Sequence, residues 1–260
     1  MTLLTRSDTG PIARLTLNAP DRLNALSDGM LAALQDTFDQ IASEDETRVV
    51  ILSGAGRAFC AGHDLKEMQG KRHGEDGGAA AFKDLFDRCA IVMQRIQSLP
   101  QPVIAQVHGL AAAAGCQLAA TCDMVVAAED ASFGVNGVNI GLFCSTPMVA
   151  LTRAIPRKAA FEMLTTGRFI AAAEAKELGL VTQVAAPNDL ATQTHALAQT
   201  IASKLPTAVR YGKQAFYQQA EMSTADAYAF TGEVIVNNML DADTNEGIQA
   251  FLEKRPPDWA

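Results

Sequence analysis

Three short stretches, Val49-Val-Ile-Leu52, Val103-Ile-Ala-Gln-Val107 and Met124-Val-Val-Ala127, are apolar almost without interruption. A strand with one face in water alternates apolar and polar side chains, so a continuous run of this length marks a strand covered on both faces. Such strands belong to sheets layered with helices. A helical period stands before the first of them. After Ser27, a residue able to cap, Met30, Leu34, Phe38 and Ile41 recur at helical spacing. Earlier still, Ile12, Leu15 and Leu17 lie in a β-prone run that stops at the turn signal Asn18-Ala-Pro20. Strand, helix, buried strand is the opening of an α/β fold.

Gly70 to Gly78 is rich in glycine and charge and reads as a surface loop, because nothing in it can build a core. The following helix carries Phe82, Phe86, Val92 or Met93, and Ile96 on its apolar side and ends before Pro100 and Pro102. Beyond residue 145 the pattern is almost wholly helical. Asp189 can cap a helix bearing Leu190, Leu197, Ile201 and Leu205. Tyr228, Ile235 and Met239 mark a second, and Ile248, Phe251 and Leu252 a short last one. The expected division is an α/β core over residues 1–190 and a helical region over 191–260. No internal sequence repeat is visible.

Composition removes several functions. At 260 residues, 48% hydrophobic and 19% charged, the chain can bury a large core and is too apolar for disorder. A formal net charge of −8 argues against a partner such as nucleic acid or an anionic membrane. No apolar run approaches the ~18 residues of a membrane span. Met1 to Leu4 carries no basic-then-apolar leader pattern. The five cysteines are scattered, with no metal spacing. A reduced, cytoplasmic compartment is the expectation.

Two turns could carry chemistry. Ser53 to Glu67 follows a buried strand and is dense in glycine, but Phe59 stands where a dinucleotide fingerprint needs its third glycine. What remains is a tight turn followed by a helix start at Asp64, where free N–H groups can meet an anion or a developing oxyanion. The second turn, Gly109 to Gly115, also follows a buried strand and contains four alanines. Small residues there let a backbone approach a ligand or another helix closely. Two such turns suggest two backbone donors facing one ligand carbonyl.

These segments resemble the crotonase, or enoyl-CoA hydratase/isomerase, superfamily. The resemblance is carried by Asn18-Ala-Pro20, Leu23-Asn-Ala-Leu-Ser27, Phe59-Cys-Ala-Gly-His-Asp-Leu65, the Gly109 to Asp123 stretch and Ala131-Ser-Phe-Gly134. Leu164-Thr-Thr-Gly167, Ala172-Ala-Glu-Ala175, Gly179-Leu-Val181 and the tail Glu246 to Arg255 extend it, collinear over nearly the whole chain. Gly141-Leu-Phe-Cys-Ser-Thr-Pro147 most resembles one subgroup, the enoyl-CoA hydratase domain-containing protein 3 type. The family implies a spiral of ββα units, followed by C-terminal helices that form homotrimers or dimers of trimers. It also implies an acyl-CoA thioester partner, coenzyme A being part of the substrate, with no separate cofactor and no metal.

Carried over by position, the oxyanion hole falls on the backbone N–H groups of His63 and Ala114. The resemblance further assigns Arg22, Ala25, Ala61, Asp64, Leu65 and Lys66 to the substrate and its coenzyme A. It assigns Phe251 and Lys254 to a tail reaching a neighbouring coenzyme A. The two glutamates that act on water in a standard hydratase fall on Gln117 and Gly137, and neither residue can exchange a proton near neutral pH. Standard hydratase activity is therefore expected to be weak or absent, and to rise if both acids are restored. Asn136 and Asn139 can orient a water, Asp64 can cap its own helix, and His63, His108 and Cys144 read as structural side chains. An enolate-forming enzyme, such as a hydratase-like lyase or an acyl-CoA decarboxylase, and a non-catalytic acyl-CoA carrier or sensor both fit this pattern.

Overall fold

A computed structural model describes residues 2–259. The chain begins as an antiparallel hairpin, β1 (Leu4–Thr9) and β2 (Ile12–Leu17), turned at Gly10. Helix α1 (Asp28–Ala42) starts where Ser27 Oγ accepts from Met30 N at 3.1 Å, and it buries Met30, Leu34, Phe38 and Ile41 as their spacing requires. Strand β3 (Val49–Gly54) then lies parallel to β2. After α2 (Leu65–Lys71) and α3 (Ala79–Ser98) come β4 (Val103–Val107), β5 (Leu110–Ala112) and α4 (Ala114–Thr121). The next turn of the spiral holds β6 (Met124–Ala128), β7 (Ser132–Gly134), a 3₁₀ turn (Asn136–Ile140), α5 (Pro147–Ala154) and α6 (Arg157–Thr166). The chain continues through β8 (Phe169–Ala171), α7 (Ala172–Glu177), β9 (Gln183–Ala185) and α8 (Leu190–Ala202). It closes with α9 (Pro206–Gln219), α10 (Thr224–Met239) and α11 (Ala242–Glu253).

Two sheets result. The larger runs β1-β2-β3-β4-β6-β9, parallel from β2 onward; the smaller runs β5-β7-β8. Each pass enters the large sheet, contributes a short strand to the small one, and leaves in a helix. In the β3 pass the short strand shrinks to one parallel bridge, Cys60 to Ala111. This is the spiral of ββα units that the family resemblance implies, and the three apolar runs lie in its large sheet as strands β3, β4 and β6. The five cysteines are buried and unpaired.

Two expectations change. The apolar side of α3 is Leu85, Cys89, Val92, Met93 and Ile96, while Phe82 and Phe86 are only half-buried. A helix turning 100° per residue brings 85, 89, 92 and 96 onto one face, which carries Phe82 and Phe86 to its edge. The boundary at residue 190 also moves. Helix α8 packs across β2, β3, β4, β6 and β9 and buries Leu190, Thr194, Ala198 and Ala202, so it belongs to the core. The helical region that leaves the core begins at Pro206. Asp189 precedes α8 without a side-chain capping bond.

Candidate active site

The two turns singled out in the sequence lie side by side. Phe59 N donates to His108 O at 3.1 Å, Cys60 N to Leu110 O at 3.1 Å, and Ala112 N to Cys60 O at 2.9 Å. This short parallel pairing carries both chains to one place and then lets them part. His63 begins the departure toward α2, and Ala114 is the first residue of α4. Among the described residues neither the His63 N–H nor the Ala114 N–H has a protein acceptor. A Cβ built on Gly62 would come within 3.2 Å of Ala114 N and 3.0 Å of Ala112 O, so glycine is what allows the turns this close.

Both turns open on a cavity of about 620 Å³. Its polar corner holds Ala61, His63, Asp64, Ala113, Ala114, Asn136 and Gly137. An apolar wall is made by Leu65, Met68, Phe86, Ile140, Leu142 and Phe143, and the rim carries Arg22, Arg57 and Lys66. Ala25 completes the side near Arg22. Phe251 and Lys254 lie outside this lining. The structure also adds residues that the sequence did not single out: Arg57, Met68, Phe86, Leu142 and Phe143. The signal for Arg57 was present in the glycine-dense turn. Phe86 had been assigned to the core.

Of the charged residues lining the cavity, Arg22 and Asp64 are paired, whereas Asp21, Arg57 and the Lys66 ammonium have no ion-pair partner among the described residues. Asp64 accepts from Lys66 N (2.9 Å) and Glu67 N (3.2 Å), capping α2, and pairs with Arg22 at 3.1 Å. Arg22 lies also 3.7 Å from Glu67, so it is not a free cation, although its side chain is 64% exposed. The Arg57 guanidinium has no hydrogen-bond or ion-pair partner among the described residues.

Proton-exchanging groups are sparse. The His63 ring stands edge-on to Phe86, its Nδ1 lies 3.3 Å from Leu26 O, and its Nε2 is enclosed without a partner. Burial pushes its pKa below the ordinary value, against a smaller opposing effect of the Leu26 carbonyl and Asp28. Donation from Nδ1–H to Leu26 suits that neutral ring. Cys144 lines the cavity with a thiol whose pKa burial raises, partly offset by the Gly137 backbone, so it stays protonated and weakly nucleophilic near neutral pH. His108 Nε2 meets Gly56 O at 2.9 Å, away from the cavity lining. Asn136 lines the cavity; Asn139 packs on Gly167 instead.

The two positions expected to hold the missing acids differ. Gly137 is on the cavity wall. Gln117, 5% exposed, is absent from the lining, and its Oε1 is enclosed without a partner. Restoring an acid at 137 meets an obstacle invisible in the sequence. A Cβ there would lie 2.3 Å from Leu142 O and 2.8 Å from Cys144 Sγ, so the expectation that glutamate fits position 137 fails unless the 142–144 backbone moves. The arrangement can hold a polarised carbonyl between two N–H groups, surround an apolar chain and meet anions at its rim.

Comparison with known proteins gives the family and the fold. The family described as enoyl-CoA hydratase/isomerase matches residues 8–260. The chain is 45% identical to the mitochondrial enoyl-CoA hydratase domain-containing protein 3 of Xenopus laevis, covering 95% of this chain and 83% of that protein. The human protein of that name is also 45% identical, over 96% and 80%. Among solved structures, an enoyl-CoA hydratase from Mycobacterium smegmatis superposes with a TM-score of 0.95 at 50% identity, covering 99% and 98% of the two chains. The human domain-containing protein 3 superposes with a TM-score of 0.94 at 43% identity, covering 99% and 100%. The chain belongs to the enoyl-CoA hydratase/isomerase family and is similar to proteins of the domain-containing protein 3 type.

Proposed function

We propose that this chain binds an acyl-CoA thioester, with the thioester oxygen held by the backbone N–H groups of His63 and Ala114. One observation carries this: two N–H groups without protein acceptors, on adjacent turns, open onto a largely apolar cavity with cations at its rim. The acyl group lies along Leu65, Phe86, Leu142 and Phe143. Arg22, Arg57 and Lys66 meet the coenzyme A phosphates, and a second copy supplies Lys254 and Phe251. Assembly is as a homotrimer or a dimer of trimers. No cofactor beyond the coenzyme A of the substrate is required.

The chemistry leans to an enolate-forming enzyme of the hydratase-like lyase kind. Two fixed N–H dipoles stabilise a developing enolate oxygen, each worth roughly 3 kcal/mol in the transition state. Addition of water also needs proton transfer, and Gln117 and Gly137 supply none. A reaction that forms its enolate by losing carbon dioxide asks less of such groups. A non-catalytic carrier or sensor is the second reading, favoured by Gln117 and Gly137, which offer no exchangeable proton near neutral pH. The vertebrate relatives are named as mitochondrial, so the cytoplasmic expectation is a proposal for fractionation to decide.

Titrating butyryl-CoA by calorimetry and following crotonyl-CoA turnover on the same preparation tests both parts. The expected result is saturable binding with hydration slower than in a two-glutamate relative by at least ~10²–10⁴, the usual contribution of a positioned acid or base. No binding of either thioester overturns the proposal. Hydration at tens of turnovers per second would leave the binding site standing and overturn the loss of proton chemistry.

A further inference from the structure

Four residues other than glycine have positive φ among those described: Leu23, Asn24, Ala113 and Lys254. Leu23 and Lys254 close helical turns with ψ of 37° and 39°, in the left-handed region that an L residue tolerates. Ala113 does not. At φ 48° and ψ −116° it occupies backbone space that only glycine enters without strain. It is held there from both sides, its N–H donating to Gly134 O at 2.7 Å and its carbonyl accepting from Gln117 N at 3.0 Å.

Glycine would take this conformation freely, so the methyl group is what the strain retains. That methyl sits at the edge of the core, packed against it on one side. Ala113 is half-buried, lines the cavity and directly precedes the donor Ala114. A Cβ built on Gly62 would come within 3.0 Å of the Ala113 Cβ, which places the methyl between the two donor turns. A carbonyl oxygen shared by the His63 and Ala114 N–H groups sits about 3 Å from each. The α-carbon and the sulfur are both bonded to that carbonyl carbon, so the methyl of the residue before Ala114 lies near the reacting group, with the α-carbon taken to be on its side.

We propose that Ala113 is a specificity-determining residue whose methyl group takes the room beside the thioester α-carbon and excludes α-branched acyl groups. This rests on the acyl-CoA reading above and adds a substrate class to it: straight-chain acyl thioesters.

Calorimetric titration of n-butyryl-CoA and isobutyryl-CoA, isomers that differ only in branching at the α-carbon, tests it on the full chain and on Ala113→Gly. The wild type is expected to prefer the straight isomer by about tenfold or more, the scale for one misplaced carbon in a fitted pocket. Ala113→Gly is expected to melt at the same or a higher temperature and to bring the ratio of the two affinities close to one. A folded Ala113→Gly protein with the wild-type ratio overturns the inference, as does a wild type without preference. Loss of both ligands in the variant also overturns it, assigning the methyl to donor placement. Failure of the wild type to bind either isomer is a different result, because it removes the acyl-CoA reading itself.

Discussion

The spiral core and the terminal helices solve the burial problem differently. In the core, β3 is buried from Val49 to Ser53, and α1 hides every apolar residue of its inner face. Helix α10 buries none of its residues, leaving Tyr228, Ile235, Val236, Met239 and Leu240 more than half exposed; α11 buries only Ala250. The core is complete within one chain, whereas the apolar surface of the terminal helices is the one the proposed assembly would cover. The join between the regions is polar. Lys213 of α9 donates to Ile96 O, Gln101 O and Asp123 at 2.7–2.9 Å, and Tyr217 OH donates to the other Asp123 oxygen at 2.8 Å. Asp123 also accepts from Val103 N, at the start of β4.

Severing that join should have the largest effect on stability. Lys213→Met leaves Asp123 short of its counter-charge in a nearly dry site, and losing one partner of such a pair costs about 3–5 kcal/mol. Urea unfolding should report this, and a change below about 1 kcal/mol would mean that the terminal helices are held by other contacts. Next comes Gly137→Glu, which tests how rigid the core is. Overpacking a close-fitted site costs about 1–3 kcal/mol. The expected outcome is a lower melting temperature with no gain in crotonyl-CoA hydration. A stable variant with faster hydration would show that the 142–144 segment yields.

Ile235→Lys addresses the other region. It should lower the mass seen by sedimentation equilibrium from an oligomer toward a single chain while the core stays folded, because Ile235 packs on nothing essential within its own chain. A wild-type monomer at micromolar concentration would remove the assembly altogether. The smallest effect is expected at the hairpin. Arg6 grips Glu44 with two bonds of 2.7 Å and holds its pKa down to about 2, below the ordinary 4.5. A depressed carboxylate pKa adds stability above pH ~4.5 that is lost as pH falls toward 2. Since each side chain of the pair keeps 24% of its surface in water, solvent screens it and its share is about 1 kcal/mol. Glu44→Gln should flatten that slice of the acid-unfolding curve, and an unchanged curve would leave the pair without energetic weight.

Much of the core was legible because continuous apolar runs and a helical period admit few arrangements. The two turns stand out in the sequence by their small residues, and their adjacency in the structure follows from two parallel strands ending at one level. Strands β5, β7 and β8 were not, since three residues carry no period. The ββα repeat left no sequence repeat because each pass packs against different neighbours. Phe86 was misassigned to the core, since spacing shows which residues share a face but not what that face meets. The Asp123–Lys213 pair spans 90 residues, and no local pattern announces it. The position of Gln117 behind the cavity wall was not legible, because no local pattern tells which face of α4 meets the cavity.

The crowding at Gly137 has a bearing on ancestry. If forebears of this chain held a carboxylate at that point, its loss let Leu142 O and Cys144 Sγ settle where the side chain began. No single substitution then leads back, because the acid and a repositioned 142–144 segment would have to arrive together. Such a lineage is ratcheted: it can explore new acyl groups or new partners more readily than it can recover the old chemistry.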